Sequence, residues 1–196
     1  MNLDSGQLAR HLERQLAPLY VVFGEEPLLA LEAADRIRSA ARGKGFVERE
    51  VLTADQGFDW GRLRSSGASL SLFAAQRLLE LRIPGAGPGV EGADALTRHA
   101  AGLPPDTVTL IILGKLDGKA RKSAWFSALE AAGTSVQAQK VPAERLPDWL
   151  AGRLAEQGHE ADRATLEFIA ARVEGNLMAA HQEVGKLALL FAPGPL

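Results

Sequence analysis

Cysteine is absent from this sequence, which excludes disulfides, thiolate metal sites and cysteine nucleophiles and fits a reducing compartment. Missing too is any uninterrupted apolar run near the roughly eighteen residues of a membrane span. The first residues, with Asp4, His11 and Glu13 in an amphipathic pattern, do not read as a signal peptide, so a cytoplasmic location and no membrane partner are the expectation. Charge of one sign is not in excess: 22 Lys and Arg against 24 Asp and Glu leave a formal net charge of −2. Any contact with nucleic acid must therefore be local or shared with partners. His11, His99, His159 and His181 lie without metal-ligand spacing and are expected as surface or capping residues. No G-x-S-x-G elbow occurs, and no metal, cofactor or catalytic residue is assigned. What is present is ordinary for a globular chain: 196 residues, 46% hydrophobic and 23% charged, long enough for one large domain or one domain and a smaller one.

Apolar periodicity then divides the chain. Leu8, Leu12 and Leu16 predict a short helix ended at Pro18. The continuous run Leu19-Tyr20-Val21-Val22-Phe23, closed by Gly24, predicts a strand buried on both faces, and a helix follows from Glu25-Glu26-Pro27 to Arg42. A second strand over Phe46 to Leu52 sets Val47, Arg49 and Val51 against Glu48 and Glu50, and a helix follows over Phe58 to Ala68. Strands at Leu78 to Ile83, Val108 to Leu113 and Thr134 to Ala138 complete about five, with a helix from Lys119 to Ala132 and Gly133 behind it as a C′ glycine. Alternating strands and helices imply a three-layer α/β domain with a mainly parallel five-stranded sheet. Beyond Pro142 only helices are predicted, to about Gln157, from Asp162 to Val173, and through Phe191. The division is 1–140 and 141–196, and Ala192 to Leu196 reads as a linker cut short or an ordinary tail.

The turn after the first strand is where a phosphate-binding loop belongs, yet Gly24 to Leu31 keeps only the first glycine of G-x-x-x-x-G-K-[ST]. Leu29, Ala30 and Leu31 stand where the second glycine, lysine and hydroxyl are needed; Glu25 and Glu26 repel a triphosphate, and Pro27 deletes a backbone donor. No ATP hydrolysis is expected there. The densest basic group is Lys115, Lys119, Arg121 and Lys122, a solvated face or a phosphate contact. Ser69-Leu70-Ser71-Leu72-Phe73-Ala74-Ala75 places three large apolar side chains in a segment too short for its own helix. They are either core residues at a helix–strand join or a plug for a pocket on a partner. A nucleotide-binding α/β enzyme with an atypical site and a direct DNA-binding module remain as other readings.

Several of these stretches occur together in one family. Leu19 to Leu29, Phe58-Asp59-Trp60, Ser69 to Ala74, Lys115-Leu116-Asp117, Ala124-Trp125-Phe126, Leu146-Pro147-Asp148-Trp149 and Glu174-Gly175-Asn176-Leu177, in this order, resemble the N-terminal two domains of the delta subunit of the bacterial DNA polymerase III clamp loader. The resemblance runs from Leu19 to Leu190. It implies a RecA-like AAA+ domain with a degenerate P-loop, a small all-α lid domain, and a collar domain that this sequence does not contain. It also implies a subunit of a DNA polymerase holoenzyme, a nucleotidyltransferase complex, with no ATPase of its own. By the same resemblance, Leu72 and Phe73, supported by Leu70 and Ser71, enter a pocket of the sliding clamp (beta subunit) and hold one ring interface open. ATP-driven partners, gamma/tau and delta prime, then load the ring onto primed DNA. Ala68 stands where the family often has glutamine.

Overall fold

The computed structural model describes residues 1–68, 76–85, 87–173 and 175–196, and contacts divide the chain into two compact units, Met1–Gln139 and Lys140–Leu196. In the first unit the chain runs β1 (Asn2–Asp4), α1 (Ser5–Arg14), β2 (Leu19–Gly24), α2 (Pro27–Gly43), β3 (Glu48–Thr53), α3 (Gly61–Ala68), β4 (Arg77–Ile83), α4 (Gly89–Ala101), β5 (Thr107–Leu113), α5 (Gly118–Arg121), α6 (Ala124–Ala132) and β6 (Thr134–Ala138). The six strands form one sheet in the order β1-β6-β2-β5-β4-β3, every pair parallel.

Strand β2 shows why the sheet needs helices on both faces. Leu19, Val21 and Phe23 point into one core with Leu63 of α3, Leu96 of α4 and Phe126 and Leu129 of α6. Tyr20 and Val22 point into the other, with Leu8 and Leu12 of α1 and Ala33, Ile37 and Ala41 of α2. A strand apolar at every position can satisfy both faces only inside such a three-layer stack. The helices start where capping chemistry allows: Asp4 and Gln7 form a reciprocal capping box on α1, and Glu26 with Pro27 opens α2.

Five expectations change in this unit. The sheet has six strands, because Asn2–Asp4 pairs with β6 in register Asn2↔Ser135; three residues carry too little periodicity to be read. Helix α4, which follows the proline- and glycine-rich stretch 84–89, was not foreseen. The helix expected from Lys119 to Ala132 is two, since Asp117 caps α5 through the Ala120 N–H at 2.7 Å and Ser123 begins α6. Gly133 is extended, with φ −153°, and is needed because a Cβ there would lie 2.3 Å from the Leu19 carbonyl oxygen. The inward face of β3 is also the opposite of the one predicted: Leu52 is buried, whereas Val47 and Val51 are exposed on an edge strand.

The second unit contains a 3-10 turn (Ala143–Arg145), α7 (Leu146–Glu156), β7 (His159–Glu160), α8 (Arg163–Val173), α9 (Leu177–Leu190) and β8 (Gly194–Pro195). Leu146, Leu150 and Leu154 of α7 are buried, as are Leu166 and Val173 of α8 and Leu177, Ala180 and Val184 of α9. Phe191, where the predicted helix ends, is the C-cap of α9 and is exposed. The unit is not purely helical: the terminal stretch read as a linker pairs with β7, the Gly194 N–H donating to the Gly158 carbonyl at 3.0 Å. Among the described residues no helix is long and apolar enough to cross a membrane.

Candidate functional site

At the carboxyl ends of the strands, where an open parallel sheet binds its ligands, the turn from β2 into α2 is already occupied by the protein itself. The Gly24 N–H donates to the Gly114 carbonyl at 3.3 Å, and the N–H groups of Glu25 and Glu26 both donate to the Ala138 carbonyl, at 3.0 and 3.3 Å. Three successive donors that a phosphate would need are thus spent on the ends of β5 and β6. The Glu26 carboxylate is buried and accepts from the Leu28 N–H at 3.4 Å, putting a negative charge at the helix N-terminus where an anion would sit. Glu25 makes an exposed ion pair with Lys115 at 3.1 Å.

Gly24 is required by this packing. Its φ of +152° and a Cβ that would lie 2.0 Å from the Ala138 oxygen leave no room for a side chain. Gly24→Ala is expected to lower stability by about 2–4 kcal/mol through backbone strain and overlap. Denaturant titration checks it, and an unchanged midpoint would contradict the close approach.

The basic group lies beside this turn. Lys115, Lys119, Arg121 and Lys122 are all exposed, on the β5–α5 connection and α5. Lys115 is engaged by Glu25, and the Arg121 guanidinium sits 5.6 Å from the centre of the Phe23 ring. The histidines depart from expectation: His11, His99 and His159 are buried and only His181 is exposed. His11 faces the Tyr20 hydroxyl at 3.1 Å and His99 the Thr109 hydroxyl at 3.0 Å. Burial, helped by the N-terminal charge and Lys44, lowers the pKa of His11, and burial lowers that of His99. His159 Nδ1 is buried without a hydrogen-bond partner among the described residues. Among the described residues no group of three or more His, Asp or Glu could hold a metal ion.

Leu70, Ser71, Leu72 and Phe73 lie outside the described residues, and the residues on either side of them are tied together. Arg77, buried at the first position of β4, donates to the Ser66 carbonyl near the end of α3 and to the Thr107 hydroxyl at 3.4 Å, and lies 3.8 Å from Glu50 of β3. The Ser66 hydroxyl donates to the same Glu50 carboxylate at 2.6 Å. One arginine therefore ties the end of α3 and the start of β4 together, closing the stretch between them at both ends. Sequence reasoning missed this clasp, because an arginine opening an apolar strand reads as its solvated end. It also missed a cleft of about 660 Å³ between α3 and α4, lined by Trp60, Leu63, Ala95, His99 and Leu103 among others.

Comparison with known proteins gives a consistent result. A family model described as DNA polymerase III, delta subunit, matches residues 20–139. DNA polymerase III subunit delta of Escherichia coli is 34% identical over 191 residues, covering 97% of this chain and 55% of the relative. The Haemophilus influenzae subunit delta is 30% identical over 193 residues, covering 94% and 54%. The chain thus spans about half the length of these relatives. Among solved structures, the Bacillus subtilis DNA clamp loader delta protein is similar with a TM-score of 0.70 at 19% identity, over 97% of this chain and 59% of that one. The Thermotoga maritima RuvB Holliday junction branch migration motor is similar with a TM-score of 0.52 at 15% identity, over 96% and 64%. Both structural likenesses show a shared RecA-like, AAA+ fold.

Proposed function

The chain belongs to the DNA polymerase III delta-subunit family, and from that premise we propose that it grips the sliding clamp and holds one interface of the ring open during loading. In this reading Leu72 and Phe73 enter an apolar pocket of the clamp, with Leu70 and Ser71 supporting them. The observation that carries it is the Arg77 clasp, which pins both ends of the stretch bearing the pair, since a segment anchored at both ends loses less conformational freedom on binding. Ring opening needs no catalytic residue: preferring the open clamp interface over the closed one shifts the population by that difference in affinity.

The filled turn at Gly24 to Pro27 supports the second half of the proposal, that the chain hydrolyses no ATP. Nucleotide acts through the gamma/tau and delta prime partners, on primed DNA reached through the complex, in the cytoplasm. Lys119, Arg121 and Lys122 then add contacts to phosphate only in that assembly. The division into a RecA-like domain over 1–140 and a lid over 141–196 is part of the same proposal, the lid meeting the neighbouring subunits. Mixing the chain with the clamp of the same organism, with and without ATP, tests it. A complex that forms without nucleotide and shows no ATP turnover is expected; hydrolysis by the chain alone, or no complex in either condition, would overturn it.

A further inference from the structure

Beyond that reading, the far edge of the sheet carries a feature that clamp binding does not use. Among the described residues strand β3 ends the sheet and pairs only with β4. The Ala54 N–H donates to the Arg82 carbonyl at 2.8 Å, and in a parallel ladder that phase turns the even-numbered residues of β3 toward β4. The N–H and C=O groups of Arg49, Val51 and Thr53 therefore face outward, with no strand beside them among the described residues. Their side chains lie on the face that bears Leu78, Glu80 and Arg82, their register partners on β4.

On that face three guanidiniums converge on one carboxylate. Glu80 is fully buried and accepts from Arg38 Nε and Nη2, both at 2.9 Å, from Arg49 Nε at 3.1 Å and from Arg82 Nε at 2.7 Å. Arg49 and Arg82 remain 39% and 46% exposed. Nη1 of Arg49 and both Nη groups of Arg82 have no partner among the described residues. With Asp35 on Arg38, three positive charges stand against two negative ones. The two outer arginines are thus held in fixed orientation with donors to spare, the arrangement that recognises a carboxylate at low entropic cost. Exposed Val47 and Val51 stand on either side of Arg49 along the strand.

We propose that this edge is a docking strip for an extended acidic segment of a partner protein, which adds as a strand beside β3 and places its carboxylates on Arg49 and Arg82. Strand addition supplies the affinity through the outward backbone groups, and the arginines supply the preference for acidic side chains. Nucleic acid fits the strip less well. One surplus charge neutralises little of a phosphate backbone, and the exposed valines offer a phosphate nothing.

The test titrates the isotope-labelled chain with a capped peptide of alternating glutamate and valine, and with its lysine–valine counterpart. Saturable amide shifts centred on Arg49, Val51 and Thr53 are expected with the acidic peptide and not with the basic one. The Arg49→Gln, Arg82→Gln double variant is expected to weaken binding about tenfold or more. Val51→Pro, which removes an outward backbone N–H of the edge strand and no side chain that bonds Glu80, is expected to weaken it as well, so the outcome does not depend on the arginine variant folding. Shifts located elsewhere, equal binding of the basic peptide, stronger binding of an oligonucleotide at the same residues, or self-association of the chain through β3 would each overturn the proposal.

Discussion

Glu80→Ala is expected to lose roughly 3 to 5 kcal/mol of folding stability, the range found when one partner of a buried ion pair is removed. The cost falls unevenly on the three arginines. Arg49 and Arg82 are partly exposed and can turn into water, whereas Arg38 is 13% exposed and stays trapped beneath α2 with only Asp35 to answer it. Acid should reproduce much of the loss in the unmodified protein. Burial alone would raise the Glu80 pKa, but hydrogen bonds from Arg38 and Arg82 and the charges of Arg38 and Arg49 outweigh it and hold it at about 2, below the ordinary 4.5. The folded value lies below the unfolded one, so this contribution is complete above pH 4.5 and disappears as the pH falls through 2. At about 1.4 kcal/mol per pH unit of displacement, it amounts to roughly 3 kcal/mol. Denaturant midpoints from pH 7 down to 2, for the wild type and Glu80→Gln, test this directly. The variant should start less stable and lose less on acidification; parallel curves would refute the role given to Glu80.

That cluster also shows where sequence reading stops. Each strand of β2, β4, β5 and β6 announced itself through unbroken or alternating apolar residues, and the division near residue 140 showed in the change of period. Glu80 gave no such signal, since its arginines come from α2, β3 and β4, separated from it by 42, 31 and 2 positions. One acid inside an apolar run looks like a polar interruption until the fold brings those chains together. Strand β3 was misread for a related reason: at an edge one face has little to bury against, so Val47 and Val51 stay exposed and the valines mark the wrong side. Missing P-loop residues were readable at Gly24 to Leu31, but the manner of their replacement was not. The donors are consumed by carbonyls of Gly114 and Ala138, more than 80 residues away in sequence.

The largest functional effect is expected at Leu72 and Phe73. Burying one leucine and one phenylalanine side chain in a partner's pocket is worth roughly 3 to 6 kcal/mol before the costs of association. The double variant Leu72→Ala, Phe73→Ala should therefore weaken clamp binding by on the order of a hundredfold or more. Each single change should produce a smaller loss, with Phe73 the greater because it buries more area. An apolar plug also predicts that wild-type affinity changes little between low and moderate salt, unlike a contact made by Lys119 or Lys122. Folding stability separates this from the structural reading of the same pair. Residues that point out of the domain leave the unfolding midpoint within about 0.5 kcal/mol of wild type when truncated. Core residues instead cost about 2 to 5 kcal/mol each. Measuring clamp affinity and unfolding on the same samples thus places the pair by which of the two quantities moves: lost affinity at constant stability assigns it to the clamp, and lost stability assigns it to the join between α3 and β4.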